Sequence, residues 1–362
     1  MGTIGDRVRE AIHGAGLTQK EVAERVEMTP DALSRALNGQ RGFAALELAD
    51  IARELDADLD YLITGEPDPY RFVVSARHAY DHETHERSVD GEEQDRLELD
   101  KIALVYAQAG PYEGTPPLPS EAVRMREDLG PGFAIDFIHR LEGIGVDVVR
   151  VEEISTSYSL TIGGRSVIVI DSTGNWFREN WSIAHELGHL ALGHRDVMPG
   201  RAENGRCEAE ANAFAADLLL PEPQVRALDW RHLDLADLAD FIWEWGVSTD
   251  ALSRRLNKLG LSTSETVAQA LENNTQRLLR HHWEGADQPG ADAITDRMTR
   301  ASQRYFPVWL RNAHLDRIAV GAQTKGSLAW MLGVDADTLD VEMPQDDLAT
   351  DDLLELVSTN RP

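Results

Sequence analysis

The sequence predicts a mainly α protein that is α+β overall, and three observations lead to this fold class. Short amphipathic helices separated by polar turns fill residues 1–66. Apolar residues that alternate with polar ones between residues 146 and 170 predict a small antiparallel sheet. The part of the chain after residue 200 has a mainly helical pattern. A length of 362 residues is enough for two or three domains.

The composition limits the classes of function. Hydrophobic residues make up 42% of the chain, but no apolar run is long enough to cross a bilayer, and the start of the chain has no signal-peptide pattern. A single cysteine excludes an intramolecular disulfide. We therefore expect a cytoplasmic protein without a membrane partner. The net charge of −28 opposes non-specific attraction to nucleic-acid phosphates.

Residues 1–66 predict five short helices. Thr18 is the expected N-cap of the second helix, and Glu21 completes a capping box. Thr29 caps a third helix from Pro30 to Leu37, with proline at the favoured first position. A tight turn between the second and third helices is typical of a helix-turn-helix domain. The other three helices are expected around Ile4, Val8 and Ile12, over residues 44–55, and over residues 58–62.

The stretch LTQKEVAERVEMTPDALSRALNG resembles the XRE (lambda-repressor-like) family. The resemblance implies that the third helix enters the major groove of DNA. Residues 1–66 nevertheless contain 7 basic and 13 acidic residues, a net charge of −6, whereas DNA-binding modules are usually basic. A protein-interaction or dimerisation module therefore remains an alternative. The candidate DNA contacts are Gln19, Thr29, Asp31, Ser34, Arg35 and Arg41.

A polar, uneven segment over residues 67–94 predicts a linker, with a short strand around residues 71–75. A second domain is expected over residues 95–230. Gly163 and Gly164 predict a hairpin turn into a strand from Val167 to Ile170. The edge strand of this sheet is a hypothetical binding place for a substrate peptide.

The stretch from Trp181 to His194 contains the pattern His-Glu-x-x-His. On a helix, His185 and His189 lie on the same face and can bind one metal ion. Glu186 is placed to take a proton from water beside that metal and to pass it to a leaving amine. The bare pattern also occurs in ordinary core helices. Its apolar neighbours favour a metal site, because buried imidazoles and carboxylates need partners.

A helix from Cys207 to Pro221 offers a third ligand, since catalytic zinc prefers three protein ligands and a water. We prefer Glu208, because Asn212 lies four residues later and is expected to support its carboxylate. Glu210 is the alternative. Cys207 is expected to be an inert, buried small residue, with a redox-sensitive thiol as the less favoured interpretation.

The sequence Ala-His-Glu-Leu-Gly-His, followed by Glu-x-Glu-Ala-Asn-x-Phe-Ala-Ala-x-Leu-Leu-x-Pro, resembles the ImmA/IrrE family of bacterial metallopeptidases over about residues 130–260. The resemblance implies a zincin-like core, zinc bound by His185, His189 and Glu208, and Glu186 as the catalytic glutamate. It also implies a protein substrate of the repressor or antitoxin type, in a stress or mobile-element response.

The octapeptide over residues 31–38, DALSRALN, recurs over residues 250–257 as DALSRRLN. A second helix-turn-helix motif is therefore expected over residues 231–262, with Arg254, Arg255 and Lys258 as a basic edge. The alternative is a helical hairpin that only braces the zinc domain.

Residues 263–362 are expected to form a helical C-terminal region with an acidic tail after residue 346. Four of its side chains are candidate hydrogen-bond donors to the oxyanion of peptide hydrolysis, namely His281, His282, Tyr305 and His314.

These observations predict a zinc endopeptidase fused to a DNA-binding regulator, with a protein substrate and DNA as partners. A regulator or toxin–antitoxin component whose zinc is sensory or structural is the alternative. The oligomeric state is left open, and a homodimer is compatible with the sequence.

Overall fold

The computed structural model describes residues 2–55, 57–65, 72–78, 92–194, 202–287 and 292–341. The chain divides into two compact units, Met1–Phe72 and Val73–Pro362, and each is described by itself. Most of the predicted linker and the acidic tail after residue 346 lie outside the described residues. No helix in the described ranges is long and apolar enough to span a membrane.

The first unit contains the five helices that the sequence predicts. The Thr18 hydroxyl accepts a hydrogen bond from the backbone N–H of Glu21, and the Glu21 carboxylate accepts one from the backbone N–H of Thr18, so the capping box is present. Leu33 and Ile51 are fully buried in the apolar core of this unit. The helices are α1 Ile4–Gly14, α2 Gln19–Arg25, α3 Pro30–Leu37, α4 Ala45–Glu54 and α5 Leu59–Thr64.

The second unit is built on a four-stranded sheet in the order β1-β3-β4-β2. The strands are β1 Phe72–His78, β2 Val146–Val151, β3 Ser157–Ile162 and β4 Arg165–Asp171. β3 and β4 form the predicted antiparallel hairpin around the two glycines, and the Tyr158 Cα is opposite that of Val169.

The sheet is mixed, so the prediction of an antiparallel sheet was wrong in this respect. β2 and β4 are parallel, with Val148 opposite Ile168. The glycine pair fixed only the β3–β4 hairpin, and the longer β2–β3 connection carries no tight-turn signal. The hairpin therefore lies with β4, not β3, next to β2. Both strands of the parallel pair are buried, as parallel strands usually are.

The remaining elements of the second unit are helical, so the mainly α, α+β fold class is confirmed. Short 3-10 helices lie at Phe133–Asp136, Glu284–Asp287 and Ala336–Thr338. The α-helices are α6 Glu92–Ala109, α7 Ala122–Leu129, α8 Phe137–Gly143, α9 Trp176–Ala191, α10 Ala202–Leu219, α11 Glu222–Arg226, α12 Leu235–Trp245, α13 Thr249–Lys258, α14 Glu265–Leu271, α15 Thr275–His282, α16 Ala293–Ala301, α17 Val308–Ala319 and α18 Gly326–Leu332.

One apolar core runs through this unit from Met125 on α7 to Ala301 on α16. It joins the sheet, the two helices of the predicted metal site, and α12 to α16. The helices α12 to α16 are therefore packed into the same core as the predicted metal site.

A buried ion pair fixes the start of α9 on the sheet. The Arg150 guanidinium on β2 donates two hydrogen bonds to the Glu179 carboxylate, at 2.7 and 2.6 Å. Its third nitrogen donates to the backbone carbonyls of Arg300 and Gln303. Burial raises the pKa of Glu179, and the Arg150 charge opposes that shift. The pair joins β2, α9 and the end of α16.

Candidate metal centre

The predicted ligand helix, α9, is capped at its start by Asn175, whose side-chain oxygen accepts a hydrogen bond from the backbone N–H of Arg178. Ile183, Ala184 and Leu187 form its fully buried apolar face. α9 packs against β3, β4 and α10. This packing holds the His-Glu-x-x-His stretch in the interior of the second unit.

Gly188 allows α9 and α10 to approach closely. A Cβ atom at this position would lie 3.2 Å from the Ala211 Cα and 3.3 Å from the Phe214 Cβ. These distances are tighter than ordinary van der Waals contact, so a larger residue would push the helices apart. The glycine thereby sets the distance between the histidines of α9 and the glutamates of α10.

The structure brings His185, His189 and Glu208 together. The Nε2 atoms of the two histidines lie 3.2 Å apart. The Glu208 carboxylate oxygens lie 3.6 Å from each of these nitrogens. The His189 side chain is fully buried, and those of His185 and Glu208 are 12% and 5% exposed. Within the described residues this is a group of donor atoms that could hold a metal ion.

The three separations fit a tetrahedral zinc ion. Zinc binds nitrogen and oxygen ligands at about 2.0–2.2 Å, which places neighbouring ligand atoms about 3.3–3.6 Å apart. The donor set of two imidazoles and one carboxylate is also one that catalytic zinc uses. The residues present therefore fit the metal that the sequence implies.

Glu186 follows the first histidine of the group and is 1% exposed. It lies on α9 with His185 and His189 and is not one of the three residues that form the metal group. A buried carboxylate that is not needed as a ligand is the arrangement expected of a proton carrier.

Glu210, the alternative third ligand, lies elsewhere. Its carboxylate accepts a hydrogen bond of 2.8 Å from Arg206 and lies 3.2 Å from the His194 Nε2. The hydrogen bonds from Arg206 and His194 lower the pKa of Glu210. Glu208 and Glu210 on α10 thus face different partners, and only Glu208 joins the two histidines.

Two neighbours of Glu208 differ from expectation. Asn212, the predicted support of its carboxylate, is exposed. Four residues advance a helix by slightly more than one turn, and here that places Asn212 on the solvent side of α10. Cys207 is only half-buried, so the expectation of a buried small residue is met in part.

The four candidate oxyanion donors make other contacts. The Tyr305 hydroxyl donates to Glu142, and burial raises the pKa of Tyr305. His314 is fully buried and lies 2.8 Å from the Val105 carbonyl. His281 and His282 line an open cavity of about 260 Å³ beside α12 and α14. The contacts described for these four side chains are with residues outside the metal group.

The predicted DNA contacts lie in the first unit around α3. Gln19, Thr29, Asp31 and Arg35 are exposed, and Ser34 is half-buried. Arg41 is engaged within the unit, since its guanidinium donates to the Ala32 carbonyl and to both oxygens of Glu47.

The predicted basic edge of the second motif is largely neutralised by partners. Arg255 is buried and donates to the Leu220 carbonyl and to the Asp217 carboxylate. Arg254 pairs with Asp250 on the surface of the same helix. Sequence reasoning did not anticipate this, because the partners of Arg255 lie on another helix. These contacts join α13 to the end of α10, and the choice between a helix-turn-helix motif and a bracing hairpin stays a prediction.

The fold and the site together define a peptidase-like domain with two histidines and one carboxylate, preceded by a helix-turn-helix domain. Residues 141–257 match the model of a peptidase family described as the IrrE N-terminal-like domain, and residues 8–62 match that of a helix-turn-helix family. The chain thus combines an ImmA/IrrE-type domain with an N-terminal XRE-type helix-turn-helix domain. The search of curated proteins found no match to this chain.

Proposed function

We propose that the protein is a zinc-dependent endopeptidase fused to a DNA-binding regulator, and that it cleaves a repressor or antitoxin-type protein. The observation that carries the proposal is the convergence of His185, His189 and Glu208 beside the buried Glu186. The match to a peptidase family supports the reaction class. The substrate class, and a role in a stress or mobile-element response, rest on the family resemblance.

His185, His189 and Glu208 would hold the zinc ion, which when bound polarises the scissile carbonyl and makes nearby water more acidic. Glu186 moves the protons. Its carboxylate accepts a proton from the attacking water and donates it to the leaving nitrogen as the peptide bond breaks. Burial of Glu186 keeps that proton from exchanging with bulk solvent during the reaction.

The sheet offers a way to hold the substrate. α9 packs against β3 and β4, so a peptide strand next to α9 would pair with β3. In the structure β1 is the neighbour of β3 at this edge. We propose that the substrate strand takes the place of β1. Proline at Val74 would weaken β1 pairing by about 1 kcal/mol per lost hydrogen bond and raise cleavage about fivefold. Unchanged cleavage in that variant would contradict the proposal that the substrate strand replaces β1.

The decisive experiment compares the metal content of the purified wild type with that of His185→Ala and Glu208→Ala. We expect about one zinc per chain in the wild type and none in either variant. Glu222→Ala, at an exposed glutamate of the same unit, is the control and should keep its metal. A wild type that takes up no zinc, even when zinc is supplied, would overturn the proposal.

Catalysis is tested separately with Glu186→Gln, which should keep zinc and lose cleavage. Cleaved proteins are found by comparing new N-termini in cells that express the wild type or the variant. Glu244→Gln, an exposed change on α12, is the control and should cleave like the wild type.

The alternative is a helix-turn-helix regulator or toxin–antitoxin component whose zinc site senses a signal or only stabilises the fold. It predicts that Glu186→Gln retains all regulation of its target genes. A structural zinc does not need a further carboxylate beside it, so the buried Glu186 favours the peptidase.

A further inference from the structure

The residues that follow α9, up to His194, turn back towards the imidazole of His189. Gly193 has a left-handed φ of 67°, a conformation that glycine adopts without strain. The backbone N–H of His194 then donates to the His189 carbonyl at 3.0 Å. This turn places the His194 ring, whose side chain is 8% exposed, against the imidazole of His189.

The contact is made on the side of the His189 ring that faces away from Glu208. The Nδ1 atoms of His194 and His189 lie 3.0 Å apart, whereas the His189 Nε2 faces His185 and Glu208. The Nε2 of His194 lies 3.2 Å from the Glu210 carboxylate, which also accepts from Arg206. A chain of hydrogen bonds therefore runs from the metal group to the surface.

For a neutral His194, the chemistry of these groups fixes which ring nitrogen of His194 and of His189 carries the hydrogen. An ionised carboxylate only accepts, so the hydrogen of His194 must be on Nε2, where it is donated to Glu210. The Nδ1 of a neutral His194 is then an acceptor, and His189 must carry its own hydrogen on Nδ1. The Nε2 of His189, which faces His185 and Glu208, consequently carries no hydrogen and acts as an acceptor.

We propose that His194 and Glu210 are positioning residues that hold His189 in its metal-binding tautomer and ring orientation. The inference rests on the proposed metal site and extends it by two residues. Histidine ligands usually donate their second ring N–H to a carboxylate or carbonyl, and loss of that partner typically costs 10- to 100-fold in metal affinity. Here the partner is a second histidine, His194, whose other ring nitrogen donates to Glu210.

The test measures zinc affinity of the full-length chain by competition with a chromophoric chelator. His194→Leu removes both bonds and should weaken zinc binding 10- to 100-fold. His194→Asn keeps an acceptor near the position of Nδ1 and should recover most of that loss. Glu210→Gln, at a side chain that is 41% exposed, leaves the fold intact and should produce a smaller loss than His194→Leu.

The controls are equivalent pairs on the surface. His232→Leu breaks a histidine–carboxylate pair with Asp229, and Glu222→Gln breaks a pair four residues apart with Arg226. Both should keep wild-type affinity. Replacement of zinc by cobalt adds a spectroscopic readout, because a reoriented His189 changes the visible absorption bands and a mere loss of stability does not.

The outcomes separate the inference from the proposed function. If the wild type binds zinc, His185→Ala does not, and His194→Leu and Glu210→Gln bind like the wild type, the positioning role is wrong and the metal site stands. If the wild type binds no zinc, both are wrong. The positioning role would be established if zinc affinity falls most in His194→Leu, less in Glu210→Gln and not at all in the controls. His194→Asn should then recover most of the affinity that His194→Leu loses.

Discussion

The two copies of the octapeptide DALSRxLN fold alike and are used differently. The copy over residues 31–38 lies on α3 of the first unit, and the copy over residues 250–257 lies on α13 of the second. Thr29 caps the first helix through the backbone N–H of Ala32, and Ser248 caps the second through that of Ala251. The shared residues therefore specify the same local helix, and the surroundings decide its role.

The first difference is at the start of the helix, the part that contacts bases in helix-turn-helix proteins. In α3 this end is open, and Pro30 and Asp31 are exposed. In α13 the residue equivalent to Pro30 is Thr249, which is buried. Its hydroxyl donates to the Asn273 carbonyl at 2.8 Å, and its backbone N–H donates to the Thr275 hydroxyl at 3.0 Å. The chain itself thus covers the first residue of α13, whereas Asp250, the equivalent of Asp31, stays exposed.

The second difference is a single residue. The position of the small, buried Ala36 in α3 is taken in α13 by Arg255. Its guanidinium reaches the end of α10, where it donates to the Leu220 carbonyl and to Asp217. α10 carries the predicted ligand Glu208, so these bonds join the second copy to the helix of the predicted metal site.

The largest effects should come from the leucine that both copies bury completely, Leu33 in α3 and Leu252 in α13. Each change to alanine should cost about 3–5 kcal/mol of unfolding free energy, through lost burial and the remaining cavity. We expect Leu33→Ala to impair DNA binding with zinc affinity intact, and Leu252→Ala to impair zinc binding with DNA binding intact. Calorimetry and the two binding assays check this. A loss of both functions in either variant would contradict the division of roles.

Arg255→Ala should have the next largest effect, a loss of about 2–3 kcal/mol in the second unit, because it leaves the Leu220 carbonyl and Asp217 without a charged donor. Arg254→Ala is its control, since an exposed pair with Asp250 contributes little. Chemical denaturation of both variants measures the difference. Equal stability of the two variants would show that Arg255 does not brace α10.

For DNA affinity, unlike stability, we expect the larger effect from the first copy, on α3. Arg35 is exposed on α3 and is 4.0 Å from Asp31, so it is available to a phosphate or a base edge. Arg35→Ala should weaken binding by about 1–3 kcal/mol, roughly tenfold or more, and Arg254→Ala should not change it. Fluorescence anisotropy at one fixed salt concentration, on a duplex selected from a random pool by the wild type, measures both. Weaker binding in Arg254→Ala would make the second copy a DNA contact.

The sequence predicted what depends on near neighbours in the chain. The capping box at Thr18, the bounds of α3 and the hairpin at Gly163 follow from short-range patterns, and the structure shows them. The spacing of His185 and His189 likewise predicted a shared face, and the structure places both beside Glu208. Their role as metal ligands stays a prediction.

What the sequence did not predict depends on residues far apart in the chain. The parallel pairing of β2 with β4, the Arg150–Glu179 pair and the partners of Arg255 have no local signal. The His194–Glu210 contact had a weak one, since Gly193 marks the helix end. The contact itself depends on where α10 packs against α9, and local sequence patterns do not specify this packing.

The smallest effect expected concerns the caps, and it separates helix stability from DNA contact. Thr29→Ala and Ser248→Ala should each cost about 1 kcal/mol of unfolding free energy, because each removes one hydrogen bond to the helix start. Aspartate caps as well as threonine, so Thr29→Asp should restore the stability of the first unit. It also places a negative charge at the end of α3 that would face phosphates, so its DNA affinity should be lower than that of the wild type. Denaturation and anisotropy on the three variants measure both quantities. Full DNA affinity in Thr29→Asp would show that α3 does not approach DNA by this end, and the difference between the two copies would then lie in their stability alone.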